Sequence, residues 1–327
     1  AAMIAECPVS LECRVQKVVP LGSHDMFVAQ IVAVNVDEAF VDEQGRFDCL
    51  IVDEAHRLNE KSGMFQNLGE NQIKEIINAA KTSIFFVDDY QIVTTKDIGN
   101  TDEIKKWCHF FDAAVYEDTL ISQFRCNGSD SYLSWLDNVL EINDEATDDF
   151  DFDYDIRICD SPEEVRKLIF EKNKLNNKSR MVAGYCWNWI KEGKNDSRVH
   201  DIQIGDFGMS WNLGSSSTWA IDSESVNEIG CIHTCQGLEF DYVGVIIGED
   251  MRYDNGIITD FTKRARTDQS IKGLKGLYKK DKEEALKIAD KIIKNTYRTL
   301  LTRGQKGCYI YCVDAKLSKY LKERLMK

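Results

Sequence analysis

The sequence has 327 residues, 43% of them hydrophobic, with only three prolines, which is typical of packed globular structure and leaves room for two domains. A formal net charge of -14 argues against a protein coated in positive charge for indiscriminate nucleic-acid binding, although a local groove can still be basic. Eleven cysteines without a recognisable secretory leader favour free thiols in a reducing cytoplasm, and no apolar run is long enough for a membrane span. We therefore expect a cytoplasmic protein that does not enter a membrane.

The first part of the chain, residues 1–47, predicts a short all-β fragment. Apolar residues alternate or cluster over residues 11–41 on both sides of the break Pro20-Leu21-Gly22-Ser23. Short β-branched runs separated by a proline and a glycine indicate two strands joined by a turn.

From residue 48 the pattern changes to alternating β and α. Residues 47–58, "FDCLIVDEAHRL", predict an apolar strand that ends in Asp53 and Glu54. A helical pattern follows, and residues 83–91, "SIFFVDDYQ", predict a second strand that ends in Asp88 and Asp89, with Gln91 just beyond. Since open α/β sheets collect ligands at the carboxyl ends of their strands, we expect these polar side chains at one sheet edge.

An acidic segment separates the two halves of the chain. Residues 141–155 carry eight acidic residues and no basic one, which indicates a solvated linker. After it, Ser161 and Pro162 predict the start of a helix. Four strands are predicted at "SRMVAGYCW", "EIGCIHTC", "YVGVIIG" and "KGCYIYCVD", with a long helix before the last, so residues 156–327 read as a second α/β domain.

Several side chains fit the chemistry of a nucleotide hydrolase, which needs magnesium ligands, a group that handles the attacking water, and an arginine. Asp53 is placed to hold magnesium through water, and Glu54 to take the proton of the attacking water. Gln91 is placed to sense the terminal phosphate, and Arg125 or Arg303 to act as an arginine finger. Each alone has an ordinary alternative: a solvated strand end, a loop amide, or a surface salt-bridge partner.

The order of the motifs along the chain indicates which family of nucleotide hydrolases the sequence resembles. "VDEAH", "VDDYQ", "SQFRCN", "HTCQGLEFD" and "LLTRGQKG" occur in that order. This series resembles that of superfamily 1 helicases. The residues within the motifs are most similar to those of the Schlafen-type helicase-like family, over roughly residues 48–327. The resemblance implies that Asp53 and Glu54 are the magnesium and catalytic acids and Gln91 the phosphate sensor. It also implies that Arg125 and Arg303 hold the γ-phosphate, and that Gln236, Gly237 and Glu239 couple nucleotide to strand movement.

The resemblance also implies a fold, cofactors and a partner. We expect an α/β protein of the P-loop NTPase type, with a truncated first RecA-like lobe at residues 48–140, the acidic linker at 141–155, and a nearly complete second RecA-like lobe at 156–327. ATP and Mg²⁺ are the implied cofactors, and single- or double-stranded DNA or RNA is the implied partner.

The phosphate-binding loop of that family is missing from the sequence. No Gly-Lys-Ser or Gly-Lys-Thr occurs, and Gly193-Lys194 is followed by Asn195 in a polar stretch. Because the backbone amides and lysine of such a loop cradle the triphosphate, we expect weak nucleotide binding and deficient hydrolysis in this chain.

Residues 1–47 resemble something else, the C-terminal part of flavin reductase-like proteins with an FMN-binding split barrel, notably in "CPVSLEC" and "LGSHDMFVAQIVAV". The parts of that family that hold the FMN phosphate are absent, so FMN is not expected, and Cys7 and His24 are assigned to packing. Two unlike fragments that meet near Phe47 suggest a chimera whose front replaces that of a helicase.

Three further patterns leave alternatives open. Cys231, His233 and Cys235 are expected to alternate along one strand near Cys308 and Cys312, and buried thiols are favoured over a zinc site because no Cys-x-x-Cys pair occurs. Residues 262–298 hold twelve basic and five acidic residues, which fits a nucleic-acid surface or a solvated helix face. Trp187, Trp189 and Trp211 are candidates for base stacking or for the core.

A non-enzymatic nucleic-acid-binding module is the main alternative function, and a flavin-linked reductase a remote one.

Overall fold

The computed structural model describes most of the chain, namely residues 9–20, 25–62, 67–120, 125–143, 154–190, 198–212, 219–220, 222–235 and 238–326. The chain divides into two compact units: Ala1–Asp88 with Ile98–Val115, and Asp89–Asp97 with Tyr116–Lys327. None of the described helices combines the length and apolar character that crossing a bilayer requires.

The first unit contains two small sheets and two helices. Strands β1 (Val9–Pro20) and β2 (Asp25–Val36) pair antiparallel, as predicted, and the turn between them, like Cys7 and His24, lies outside the described residues. Strands β3 (Phe47–Val52) and β4 (Ala80–Phe85) pair parallel. The helices are α1 (Gln72–Ala79) and α2 (Thr101–Phe110).

A seven-stranded sheet forms the centre of the second unit, with strand order β5-β13-β10-β6-β9-β8-β7. All its neighbouring strands are parallel except the β7–β8 pair. The mixed α/β class and the mostly parallel sheet confirm the sequence prediction at that level. The strands of this unit, including the separate β11–β12 hairpin, are β5 (Asp155–Ile158), β6 (Ser179–Ala183), β7 (Ile202–Ile204), β8 (Phe207–Trp211), β9 (Glu228–Gly230), β10 (Phe240–Ile247), β11 (Met251–Tyr253), β12 (Ile257–Thr259) and β13 (Gly304–Cys312).

Helices cover both faces of this sheet. They are α3 (Asp130–Val139), α4 (Pro162–Asn176), α5 (Ile232–Cys235), α6 (Leu274–Lys280), α7 (Lys282–Leu301) and α8 (Ala315–Leu325). Side chains alternate between the faces of a strand, so Val243, Val245 and Ile247 of β10 join one core with residues of α3, α7 and α8. Ile246 joins a second core with residues of α4, where an added Cβ on Gly244 would lie 2.6 Å from Val165.

The compact units run differently from the domain boundaries expected from the sequence. The segment from Tyr116 to Leu140, expected in the first lobe, groups with the second unit. The reason is burial: Tyr132, Trp135 and Leu136 of α3 are 0%, 0% and 1% exposed within the core of the second unit. The described ends of the acidic segment pack there too, since Glu141 accepts a hydrogen bond from the amide of Ile257. Residues 144–153 lie outside the described part.

Candidate functional site

An acidic turn follows β3 in the first unit. Asp53 and Glu54 come directly after Val52, and the amide of Glu54 donates to Asp53 Oδ1 at 2.9 Å. The amide of Ala55 donates to the carbonyl of Phe86 at 2.9 Å, which ties the turn to the carboxyl end of β4. Both carboxylates are exposed. A strand end therefore presents two acids to solvent on an anchored backbone.

The backbone of Glu54 is strained. Its φ of 52° and ψ of 38° lie in the left-handed region, which costs a residue with a side chain about 1–3 kcal/mol. Such strain persists where surrounding contacts hold it, and it is concentrated at functional sites. The conformation turns the chain sharply, so that Glu54 and His56 approach each other.

His56 is a buried neighbour of the acidic turn that the sequence reading did not include among the site residues. It is 1% exposed, and its Nδ1 accepts a hydrogen bond from the amide of Asp88 at 3.3 Å. An accepting Nδ1 leaves the ring proton on Nε2, which lies 3.3 Å from Glu54 Oε2 without hydrogen-bond alignment. His56 thus connects the acids after β3 with the first acid after β4; in the sequence, the only signal for it was its place in "VDEAH".

Gly99 packs directly against this turn. A Cβ added to Gly99 would lie 1.7 Å from the carbonyl oxygen of Ala55 and 3.1 Å from Cα of His56. The neighbouring amide of Ile98 donates to the carbonyl of Leu58 at 2.8 Å. Only glycine permits so close an approach of two backbones, so the position of the acidic turn depends on a residue more than forty positions further along the chain.

Gln91 belongs to the second unit, in a short 3-10 turn at Asp89–Gln91, and is 3% exposed. Asn295 of α7 holds this turn, because its Nδ2 donates to the carbonyls of Asp89 at 3.1 Å and Ile92 at 2.9 Å. The guanidinium of Arg298, one helical turn further, lies 4.4 Å from the centre of the Tyr90 ring. The second part of the "VDDYQ" motif, Asp89–Gln91, is therefore fixed to α7.

The segments that carry Arg125 and Arg303 meet in the second unit, at Cys126. Arg125 begins a 3-10 turn, Arg125–Gly128, in which Cys126 and Asn127 have φ of 51° and 57°. Cys126 lies 3.8 Å from the carbonyl oxygen of Thr302, next to Arg303. Burial raises the pKa of the Cys126 thiol to about 12, and the charges of Arg125, Arg303 and Arg298 partly offset that effect. The segments before and after this contact, which carry Arg125 and Arg303 178 positions apart, thus meet at one buried thiol.

Arg303 is 3% exposed and binds main-chain oxygens. Its Nε donates to the carbonyl of Thr299 at 3.0 Å, and its Nη1 to that of Leu238 at 3.2 Å. These bonds tie the end of α7 to the segment that leads into β10, where Glu239 is exposed. Gln236 and Gly237 of the same motif lie outside the described residues.

The expected strand through Cys231, His233 and Cys235 is wrong. β9 ends at Gly230, and α5 turns Ile232–Cys235 into a single helical turn, with the amides of Thr234 and Cys235 donating to the carbonyl of Cys231. Within the described part of the chain, no three His, Cys, Asp or Glu side chains converge as a metal site requires. Burial raises the pKa of the Cys235 thiol to about 12, so this thiol stays protonated.

All three tryptophans belong to, or pack against, the core of the second unit. Trp211 is 0% exposed in the core, and its Nε1 donates to the carbonyl of Trp187 at 3.1 Å. Trp187 and Trp189 are half-buried.

Comparison with known proteins supports the resemblance to a Schlafen-type helicase-like domain. The family described as "Schlafen group 3, DNA/RNA helicase domain" matches residues 23–314, a range that includes residues 23–47 of the segment compared above with flavin reductase-like proteins. The uncharacterized protein YPL245W of Saccharomyces cerevisiae is 27% identical over 320 residues, with 86% of this chain and 64% of that protein covered. The chain thus spans somewhat less than two thirds of that relative's length. By the extent of the family match, this chain belongs to the Schlafen group 3 DNA/RNA helicase-domain family.

Proposed function

We propose that this chain is the nucleotide- and nucleic-acid-handling part of an ATP-dependent helicase or translocase, built on two RecA-like lobes, and that ATP hydrolysis is deficient in the 327 residues present. The observation that carries the proposal is the acidic turn of Asp53 and Glu54, with its strained backbone and its buried histidine. The family match supports a helicase-like function in general, and the assignment of ATP to these residues goes beyond it.

The first unit offers side chains suited to Mg²⁺ and water. Mg²⁺ prefers oxygen ligands and keeps several waters, so Asp53 at an exposed strand end fits it through a water molecule. Glu54 accepts the proton of the attacking water, and His56 is a positioning residue that restrains Glu54. Bound MgATP supplies the phosphoryl group and the metal charge that this chemistry uses.

The second unit offers the charge and sensing groups. We assign Arg125 and Arg303 to the γ-phosphate, and Gln91 to sensing it. Gln236, Gly237 and Glu239 are assigned to coupling the nucleotide to strand movement. The sequence lacks a Gly-Lys-Ser or Gly-Lys-Thr loop, whose backbone amides and lysine would hold the triphosphate, so we expect nucleotide binding to be weak.

Nucleotide binding and turnover test this assignment directly. We expect a fluorescent ATP analogue to bind more weakly than about 100 μM, and more weakly still after Asp53→Asn, because the magnesium ligand is lost. Asp48→Asn is the matched control, since Asp48 is an exposed carboxylate at the other end of β3, paired with Lys81 at 2.7 Å. Equal effects of the two substitutions would contradict the role of Asp53.

ATP hydrolysis separates a deficient site from an active one. We expect turnover near background with and without single-stranded DNA or RNA, for the unaltered chain and for Glu54→Gln alike. Robust turnover that nucleic acid stimulates and Glu54→Gln abolishes would contradict deficiency, while supporting Glu54 as the general base.

A non-enzymatic nucleic-acid-binding module remains the second candidate, and one surface favours it. Around α6 and α7, seven lysines are exposed and form no ion pair with any described residue: Lys272, Lys275, Lys279, Lys280, Lys282, Lys287 and Lys291. We call them the lysine surface. Such a cluster on a protein of charge -14 is a local basic patch of the kind that tracks a phosphate backbone.

The salt dependence of binding tests the lysine surface. Replacing Lys275, Lys279 and Lys280 by glutamine is expected to reduce the slope of log affinity against log salt by about 2 for a single strand. Each phosphate contact that a lysine makes releases counterions from the strand, and the variant makes three fewer of these contacts. The matched control replaces Lys316, Lys319 and Lys322 of α8, which already pair with Asp254, Glu323 and Asp160. Both triple variants remove three charges, so equal slopes would contradict a specific lysine surface.

A further inference from the structure

A cavity lies at the carboxyl edge of the second unit's sheet. It has a volume of about 420 Å³ and is lined by Cys186, Trp187, Gln203, Ile204, Gly205, Glu249, Lys263 and Val313. Cys186 follows β6, Glu249 follows β10 and Val313 follows β13, so three adjacent parallel strands end at it. Small-ligand sites in proteins measure roughly 300–1,000 Å³, and this cavity falls within that range.

The strand connections also favour a ligand at this place. The chain after β6 continues to β7, β8 and β9 on one side of it, whereas the chain after β10 continues to β13 on the other. In an open parallel sheet, such a reversal leaves a crevice at the carboxyl ends, where ligands bind. The Cys186 side chain packs directly against Gly248 here, since a Cβ added to Gly248 would lie 2.4 Å from Cys186 Sγ.

This cavity is separate from the residues assigned above to ATP. Glu239 and Arg303 directly precede β10 and β13, at the amino edge of the same sheet. The cavity lies beyond the far end of β10, whose eight residues span roughly 23 Å. A ligand here therefore does not use the proposed phosphate-binding arginines.

The lining is suited to an uncharged planar ligand. Among the lining residues that the structure describes, the one cation, Lys263, pairs with the one carboxylate, Glu249, at 3.0 Å, so these residues leave no unbalanced positive charge for a phosphate. Burial, reinforced by nearby Asp250, raises the pKa of the Cys186 thiol well above its usual value, so the thiol is a neutral part of the wall.

One wall of the cavity is a held aromatic ring. Trp187 Nε1 donates to the carbonyl of Gln203 at 3.3 Å, and the carbonyl of Trp187 accepts from Trp211. The Trp211 ring, 6.4 Å away, meets it edge-on. An indole fixed in this way loses little freedom when a base stacks on it. The exposed side-chain amide of Gln203 donates one hydrogen bond to the carbonyl of His200 at 3.2 Å, and its second N–H proton and its oxygen can still donate to and accept from a ligand.

We propose that this cavity binds a nucleobase, stacked on Trp187 and hydrogen-bonded along its edge by Gln203 and Glu249. The base can come from a free nucleoside or from an unpaired position of a nucleic-acid strand. Both sources present the same planar heterocycle with donors and acceptors on its edge. The inference goes beyond the proposed ATP chemistry and does not depend on it.

The test uses the full chain and 2-aminopurine, a fluorescent base that is quenched when it stacks on an aromatic ring. One probe is 2-aminopurine riboside, and the other is a short single-stranded oligothymidine that carries one 2-aminopurine. We expect saturable quenching of the riboside if the ligand is a free nucleoside, and of the oligonucleotide alone if it is a strand base.

Two variants locate the binding. Val313→Phe fills the cavity and is expected to weaken binding by roughly tenfold or more, whereas Val313→Ala, the matched control, leaves the cavity open and binding within about twofold of the unaltered chain. Trp187→Ala is expected to remove the quenching; because it also removes packing on Trp211, the Val313 pair provides the independent evidence.

The proposal is overturned if the unaltered chain quenches neither probe saturably, or if Val313→Phe binds as tightly as Val313→Ala. This outcome is distinguishable from failure of the proposed function. Absent quenching, together with oligonucleotide binding that depends on the lysine surface, would reject the base cavity and leave nucleic-acid binding intact.

Discussion

Replacing Arg264 by alanine is expected to lower the free energy of unfolding of the second unit by about 3–5 kcal/mol. The Arg264 side chain is fully buried, and so are its partners Asp250 and Asp268. Burial disfavours the guanidinium charge, but Asp268 and Asp250 outweigh burial and raise the pKa of Arg264. Removing the cation would leave two buried carboxylates without their counter-charge, which is far more costly than losing a surface ion pair.

The same network joins α7 to the end of β10. Tyr297 of α7 donates to Asp250 Oδ1, and its hydroxyl accepts from the amide of Gly248 at 2.9 Å. Loss of Arg264 is therefore expected to loosen the connection between the long helix and the central sheet.

Urea-induced unfolding followed by tryptophan fluorescence measures this effect. Five of the six tryptophans belong to the second unit, with Trp107 alone in the first, so the signal reports mainly on the unit of interest. Lys263→Ala is the control, because its ion pair with Glu249 is exposed and contributes about 0–1 kcal/mol. If the two variants unfold at the same urea concentration, the buried network does not stabilise the unit.

Replacing Gly99 by alanine is expected to displace the acidic turn and to destabilise the first unit by about 1–3 kcal/mol or more. The new Cβ would meet backbone atoms of Ala55 at 1.7 and 2.7 Å, and backbone cannot move aside as a flexible side chain can. Since Ala55 follows Glu54 directly, any shift of its carbonyl changes the strained conformation that sets the position of the acids.

Hydrogen exchange of the peptide that covers residues 53–58 tests this expectation. We expect faster exchange in Gly99→Ala, together with loss of any nucleotide binding that depends on Asp53. Gly276→Ala is the matched control: Gly276 lies in α6, no atom lies within 4 Å of an added Cβ, and alanine in a helix is favoured by about 0.5–1 kcal/mol. Unchanged exchange in Gly99→Ala would show that the turn tolerates the methyl group.

The elements that the sequence predicted well have strong local signals. β3 ends at Val52, directly before Asp53, and α4 begins at Pro162 after Ser161, whose hydroxyl accepts from the amide of Glu164. β4 is shifted from its prediction: it runs from Ala80 to Phe85 and includes Lys81, so Asp88 comes three residues after its end. The segment 231–235 was predicted as a strand and is a helical turn. A stretch of five residues with alternating polarity is too short to distinguish the 3.6-residue period of a helix from the two-residue period of a strand. The packing of Ile232 and Cys235 into the core favours the helical turn.

By itself, the sequence determined which chemical groups this protein carries and in what order: the acids after an apolar strand, the glutamine, the two arginines, and the absence of a Gly-Lys-Ser/Thr loop. These features are local, so composition and spacing along the chain are enough to read them. Only the tertiary structure decided which of those groups are buried and with what they pair. The burial of His56 behind Glu54, the contact of Cys126 with Thr302 that joins the segments of Arg125 and Arg303, and the ion network of Arg264 all join residues that folding brings together. The energy of a buried charge or hydrogen bond depends on those partners. Because the partners are far apart in the sequence, a local sequence pattern does not identify them.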